Sequence, residues 1–251
     1  MRYAVLSDIH GNLEALTAVM DTFASASVDR YLCLGDSVGY GADPVACLER
    51  LQQAHAVMVS GNHEAGCVGR LELDWFSHAA RAALIWTRDQ LGMAELEALR
   101  RLPMSAAEGP CTLVHGTHTH PERFDYLMDL AQAVDIVTMS RTPYALLGHT
   151  HMPLLFEYDM EARKVLRMLT DLDELREVRL AAGDARVRYI LNPGSVGQPR
   201  DGDPRASFAV LDDGERVARF ARVTYDVDTA QRKIRAAGLP EFLAERLAVG
   251  R

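Results

Sequence analysis

A chain of 251 residues, 48% hydrophobic, can bury one sizeable core, and single α/β domains of this length are ordinary. No apolar run approaches the roughly 18 residues a membrane-spanning helix needs, so a spanning segment is excluded. A formal net charge of −8 disfavours a protein whose main task is gripping nucleic acid through a basic face.

The apolar stretch before Ser7-Asp8 is too short for the core of a signal peptide, and the chain reads as cytoplasmic. Cys33, Cys47, Cys67 and Cys111 show no CxxC and no paired spacing. Cys33 and Cys111 sit inside apolar runs and read as small buried thiols; disulfides are not expected in that compartment.

Along the chain one pattern recurs five times. A short apolar run with strand character stops abruptly at residues that ligate metals. Tyr3 to Leu6 leads into Asp8-Ile9-His10-Gly11-Asn12, and Tyr31 to Leu34 leads into Gly35-Asp36. Ala56 to Val59 leads into Gly61-Asn62-His63-Glu64, Thr112 to Val114 into His115-Gly116, and Ala145 to Leu147 into Gly148-His149-Thr150-His151. Unbroken apolar runs suit strands buried on both faces, and α/β folds place their sites beyond the carboxyl ends of such strands. Five ligand-bearing strand ends predict one convergent site.

Helical patterns lie between the runs. They cover Asn12 to Ala24, Pro44 (after Asp43 as N-cap) to about Gln53, Leu73 to Leu91, Ala94 to Leu102, and Asp125 to about Ala133. Trp75, Phe76, Leu84, Ile85 and Trp86 read as core and lid packing. After residue 151 the segments Pro153–Tyr158, Lys164–Leu169, Val187–Leu191, Phe208–Leu211 and Val217–Tyr225 predict an antiparallel meander. Helices over Asp228–Ala237 and Pro240–Val249 close the chain. With no linker between the halves, residues 1–251 predict a single domain with two stacked sheets.

The candidate ligands are Asp8, His10, Asp36, Asn62, His115, His149 and His151. Carboxylate, amide and imidazole donors together suit borderline divalent ions, manganese first, with iron, nickel, cobalt or zinc as alternatives. Seven donors exceed one tetrahedral site, so two ions sharing a carboxylate is the economical arrangement. Two such ions about 3.5–4 Å apart activate a bridging hydroxide for in-line displacement at phosphorus. A purely structural cluster of these groups would be costly to bury.

In order, spacing and strand context, this series resembles the calcineurin-like metallophosphoesterase superfamily over residues 1 to about 200. The Asn192-Pro-Gly-Ser-Val-Gly197 string is similar to that of its compact bacterial and archaeal phosphodiesterases. The resemblance implies a four-layer αββα sandwich of two mixed sheets between helices. It further implies that Asp8, His10 and His151 hold one metal, Asn62, His115 and His149 the other, and that Asp36 bridges. His63, beside a ligand, would act on the phosphate as a catalytic residue without binding metal. Asn12, Asn192 and Ser195 would lie near the metals or the phosphate.

The superfamily's protein phosphatases follow their Gly-Asp with x-V-D-R-G. Here the string is Gly35-Asp36-Ser37-Val38-Gly39-Tyr40-Gly41, without the Asp that supports the catalytic His or the Arg that grips phosphate. A protein phosphatase is therefore disfavoured. Substrate selection falls to Tyr40, His118, His120, Arg123, Tyr126, Arg200 and Arg205, with ion pairing to Asp201 or Asp203 the plainer role for Arg200. The expected substrate is a small, nucleotide-type phosphodiester, with no stable nucleic-acid partner, no membrane, and homo-oligomerisation left open. A nuclease is the alternative enzyme, and a non-catalytic scaffold of the same fold the alternative outside catalysis.

Overall fold

The computed structural model describes residues 1–172, 176–181 and 186–251. Among the described residues, twelve strands form two six-stranded mixed sheets. In the first, β1 (Arg2–Leu6) pairs in parallel with β2 (Arg30–Cys33), and β2 with β3 (Val57–Met58). On its other side β1 runs antiparallel to β11 (Ala206–Asp212), followed by β12 (Val217–Val223) and β9 (Arg176–Arg179).

The second sheet is built alike. At its centre β5 (Cys111–Val114), β6 (Tyr144–Leu146) and β10 (Val187–Pro193) run parallel. Antiparallel strands flank them: β4 (Ser105–Glu108) on one side, β7 (Pro153–Asp159) and β8 (Lys164–Leu169) on the other.

The apolar runs lack alternation because both faces of the central strands are covered. Tyr3, Val5, Leu32 and Leu34 meet Leu113, Leu146 and Leu191 in the core between the sheets. Ala4, Leu6 and Cys33 turn the other way, against Leu16, Val19 and Phe23 of α1 (Leu13–Ala26). On the outer face of the second sheet, Ala133, Ile136 and Val137 of α6 (Leu130–Met139) cover Val114, Ala145 and Ile190. Helix, sheet, sheet, helix is the predicted layering.

Some expectations need correction. The C-terminal strands are not one meander: β7, β8 and β10 join the second sheet, whereas β9, β11 and β12 extend the first. A side-chain pattern reports which faces are buried, not which neighbour a strand pairs with. The long helix expected from Leu73 is a 3-10 turn at Leu73–Trp75 and then α4 (His78–Gln90), restarted by the Ser77 hydroxyl accepting from Ala80 N. Trp75 lies 81% exposed and Ile85 is exposed too, so neither is core. The helix expected from Asp125 starts instead after Asp129, where Asp129 and Gln132 make a reciprocal capping box. All four cysteines are buried and unpaired.

The remaining helices are α2 (Pro44–Gln53), α3 (Asn62–Cys67), α5 (Met93–Arg101), α7 (Val227–Ala236) and α8 (Glu241–Glu245). Among them α7 and α8 pack with Tyr40 and Ala42 through Ile234, Leu243 and Leu247, which brings the end of the chain beside the loop after β2. Among the described residues, no helix is long and apolar enough to cross a membrane.

Candidate metal centre

Every predicted ligand leaves the carboxyl end of a parallel strand, and the two sheets turn those ends toward one another. Backbone hydrogen bonds stitch the loops together: Asp8 N to Gly35 O (3.1 Å), His10 N to Asp36 O (2.9 Å), Gly148 N to His115 O (2.9 Å) and Gly197 N to Asp8 O (2.9 Å). Asp8, His10, Asp36, Tyr40, His149 and His151 all adopt left-handed backbone conformations, with φ between 50° and 67°. Such conformations cost about 1–3 kcal/mol each in non-glycine residues and persist only where the surroundings enforce them. The loops are aimed inward at the expense of stability. Where they cross, only glycine fits: a Cβ at Gly61 would sit 2.1 Å from Asp36 Oδ1.

The carboxylates are divided by task. Asp8 Oδ2 accepts from His149 N (3.0 Å), while Asp8 Oδ1, buried and without a hydrogen-bond partner, faces His151 Nε2 at 3.1 Å. Asp36 Oδ1 accepts from His63 N (2.9 Å), and Asp36 Oδ2 faces His115 Nε2 at 3.2 Å.

The imidazoles follow the same logic. His10 Nδ1 donates to Val38 O (3.2 Å), His115 Nδ1 to Leu34 O (2.7 Å) and His151 Nδ1 to Gln198 O (2.5 Å). Each Nε2 is then the nitrogen turned to the interior, available to a metal ion when unprotonated. His149 offers Nδ1, 3.0 Å from His115 Nε2, and Asn62 Oδ1 lies 3.2 Å from the same nitrogen. Three sets, Asp8-His10-His151, Asp36-His115-His149 and His10-Asp36-His63, each place their ligand atoms within 4.8 Å of one another. Inward lone pairs, a carboxylate oxygen without a donor and mixed oxygen and nitrogen donors fit divalent cations.

Electrostatics agree. Burial alone would raise Asp36, but the neighbouring His115 and His63 hold it well below the usual carboxylate range. Burial pushes His10 well down and His149 to about 3. His115 is the exception: burial works against its charge, yet Asp36 overcomes it and lifts the group to about 9. The Asp36 carboxylate thus stabilises a proton on His115.

His63 lies in the same chamber. Its ring meets those of Tyr40 (centroids 4.5 Å apart), His10 (4.7 Å) and Phe76 (5.5 Å). Its Nδ1 is buried without a partner, and burial lowers its pKa to about 4.

The remaining expected residues separate into two groups. Asn12 caps α1 through Ala15 N (3.1 Å) and donates to Gly197 O (2.9 Å). Asn192 donates to Gly148 O (2.8 Å) and Thr150 Oγ1 (3.0 Å) and accepts from Gly194 N (2.9 Å). Ser195 Oγ donates to Asp8 O (2.8 Å) and accepts from Gln198 N (2.8 Å). These three hold the ligand loops in place.

At the mouth, Tyr126 stacks on His149 with ring centroids 3.8 Å apart, and Tyr40 packs edge-on to His10 at 4.6 Å. Arg200 does not pair with Asp201 or Asp203, which are engaged by Arg222 and Arg205; it donates to Gln198 Oε1 at 3.1 Å. His120 and Arg123 pair locally with Glu122 and Asp125. His118 is half-buried, with neither ring nitrogen hydrogen-bonded.

Sequence reasoning gave Glu64 no role. Fully buried, its carboxylate accepts from Asp36 N (2.8 Å), Gly61 N (2.8 Å), Ser37 N (2.6 Å) and Ser37 Oγ (2.6 Å), clamping two ligand loops together. The visible signal was a glutamate next to the ligand motif, where an apolar helix face would be expected to turn inward.

Two stacked mixed sheets with buried Asp and His donors and a half-buried Asn at a common carboxyl edge are the architecture of a metallophosphoesterase. Residues 1–215 match the calcineurin-like phosphoesterase superfamily domain, and the chain belongs to that superfamily of hydrolytic enzymes. It is 37% identical to a metallophosphoesterase from Sphaerobacter thermophilus whose crystal structure superposes with a TM-score of 0.85, covering 100% of both chains. A hypothetical protein of Pyrococcus horikoshii, 21% identical, shares the fold at a TM-score of 0.78, with 100% of this chain and 98% of that one covered. An uncharacterized protein of Methanocaldococcus jannaschii is 36% identical over 252 residues, 99% of this chain and 98% of its own.

Proposed function

We propose that the chain is a phosphodiesterase for small, nucleotide-type esters that works with two divalent ions, manganese foremost. The observation that carries this reading is the convergence of Asp8, His10, Asp36, Asn62, His115, His149 and His151, with their free donor atoms all directed inward. Asp8, His10 and His151 would hold one ion, Asn62, His115 and His149 the other, and Asp36 would serve both. Bound there, the ions supply Lewis acidity and lower the pKa of water.

The chain's own groups do the rest. Backbone donors hold one oxygen of Asp8 and one of Asp36, leaving the other oxygen of each facing the histidines of the cluster. His63, neutral near pH 7, offers a hydrogen bond to the phosphoryl or leaving oxygen. Tyr40, Phe76 and Tyr126 line the chamber with rings that restrict water. The test is turnover of a chromogenic phosphodiester by chelated protein, alone and after addition of Mn, Co, Ni or Mg. We expect no turnover without metal, and better restoration by Mn, Co or Ni than by Mg, because imidazole suits the softer ions. Full activity in exhaustively chelated protein would refute the reading.

A further inference from the structure

The last two helices lie beyond residues 1–215, the segment that matches the superfamily domain, yet they reach the loops of the metal centre. Ile234 of α7 and Leu243 of α8 share an apolar cluster with Tyr40 and Ala42. Beside that contact, Lys233 of α7 extends its ammonium between two carboxylates of other elements. Glu14 Oε1, in the first turn of α1, lies at 2.5 Å, and Asp43 Oδ2, at the residue that opens α2, lies at 2.9 Å. Both acids are largely buried, 14% and 22% exposed, and the other oxygen of Glu14 has no partner. A compact ammonium can serve two carboxylates from one point, whereas a guanidinium fork is shaped to grip one.

The helices tied in this way begin where two ligand loops end. The first loop carries Asp8 and His10 into α1, and the second carries Asp36 into α2. Three backbone bonds lace the loops to each other: Gly11 N to Ser37 O (3.0 Å), Gly41 N to His10 O (2.9 Å) and Asp43 N to Gly11 O (2.9 Å). Between them the chain turns at Gly39 and Tyr40 through left-handed conformations, φ 84° and 62°. At a tyrosine that conformation persists only where its surroundings enforce it.

This turn is the seat of His63. The Tyr40 ring lies 4.5 Å from that of His63 and 4.6 Å from that of His10, and a Cβ on Gly39 would sit 2.1 Å from His63 Nδ1. Removing the ammonium leaves Glu14 and Asp43 as neighbouring like charges with little access to water, which pushes the starts of α1 and α2 apart.

We propose that Lys233 is a positioning residue for the metal centre: by joining α7 to the starts of α1 and α2 it holds the Gly39–Tyr40 turn against His63 and His10. Its effect on turnover rests on the phosphodiesterase reading above; its effect on the turn does not.

The test compares wild type with Lys233→Met, Lys233→Arg and Asp43→Asn. On a nitrophenyl diester at saturating Mn, Lys233→Met lowers kcat about tenfold, short of the ~100-fold that a 1 Å misplacement can cost, and leaves KM within about twofold. Lys233→Arg keeps most of the activity, and Asp43→Asn, which leaves Glu14 on the ammonium, falls between. Hydrogen–deuterium exchange of the chelated protein gives a readout that needs no turnover. The peptide spanning residues 36–43 exchanges faster in Lys233→Met than in wild type, while residues 187–193 of β10 are unchanged. If Lys233→Met does not fold, Asp43→Asn carries the same two measurements. A lower melting temperature with unchanged kcat, or exchange that rises equally in both peptides, makes the ion pair a stabilising contact only and overturns the proposal. A wild type that turns over no diester overturns the phosphodiesterase reading, and the exchange measurement then decides the role of Lys233 by itself.

Discussion

His10 and His151 face each other nitrogen to nitrogen, Nε2 to Nε2 at 3.2 Å, while the Nδ1 of each donates to a backbone carbonyl. Two lone pairs at that separation repel unless a cation or a proton lies by them. Nearby in the cluster His115, lifted to about 9 by Asp36 against the effect of burial, carries a proton at neutral pH. Loading a divalent ion at pH 7 should therefore expel about one proton, and affinity should rise with pH up to about 9. The stability effect has a definite sign. His115 is raised above its unfolded value near 6.5, so its contribution is full below pH 6.5 and is lost as pH rises through 9. Calorimetric titration in buffers of different ionisation enthalpy counts the protons; none released at pH 7 would contradict the assignment.

Asp36 divides its oxygens between His63 N and His115 Nε2, and it belongs to two of the three candidate ligand sets. Asp36→Asn keeps the shape and removes the charge. Its kcat should fall on the order of 10³-fold, more than for Asn62→Ala or His10→Ala, because in the proposed two-ion centre it would serve both ions. Kinetics at saturating metal decide the matter, and an Asp36→Asn enzyme within tenfold of wild type would sink the bridging role.

Glu64 supplies acceptors to four donors at once. Glu64→Gln places an amide N–H₂ against donors that cannot turn away. The expected loss is about 2–3 kcal/mol of stability, with weaker metal binding, since the loops of Asp36 and Asn62 are joined through this one carboxylate. Thermal melts with and without added Mn check it, and unchanged melts in both states would show the clamp to be dispensable.

The convergence of the candidate ligands was legible because each follows an apolar run that reads as a doubly buried strand, and such strands end on one side of a sheet. The missing carboxylate partner of His63 was legible too: Gly39 packs so near that a Cβ there would sit 2.1 Å from His63 Nδ1, and that nitrogen has no partner. The packing of the last helices against Tyr40 was not legible, since nothing local says that α7 and α8 fold back on it. Nor was the division of the later strands between two sheets, because β8 alternates in burial much as any edge strand does and β9 buries only Val178. The roles of Asn12, Asn192 and Ser195 as tie points needed the third dimension: each side chain is satisfied by a carbonyl or amide far away in sequence.

His63 remains the residue whose chemistry the geometry constrains most narrowly. Burial and the charge of Arg200 hold its pKa near 4, outweighing the pull of Asp36 in the other direction, and its Nδ1 has no acceptor to stabilise an imidazolium. At pH 7 a group with that pKa is protonated in roughly one molecule in a thousand, which makes it a poor proton store and a serviceable neutral donor. His63→Ala should therefore lower kcat by a similar factor on an alkyl diester and on a nitrophenyl diester, through lost stabilisation of the phosphoryl oxygens. Metal content, measured by atomic emission, should stay at the wild-type value. A loss confined to the alkyl ester, whose leaving group needs a proton, would instead make His63 the general acid. Loss of bound metal would make it a ligand, completing the set it forms with His10 and Asp36.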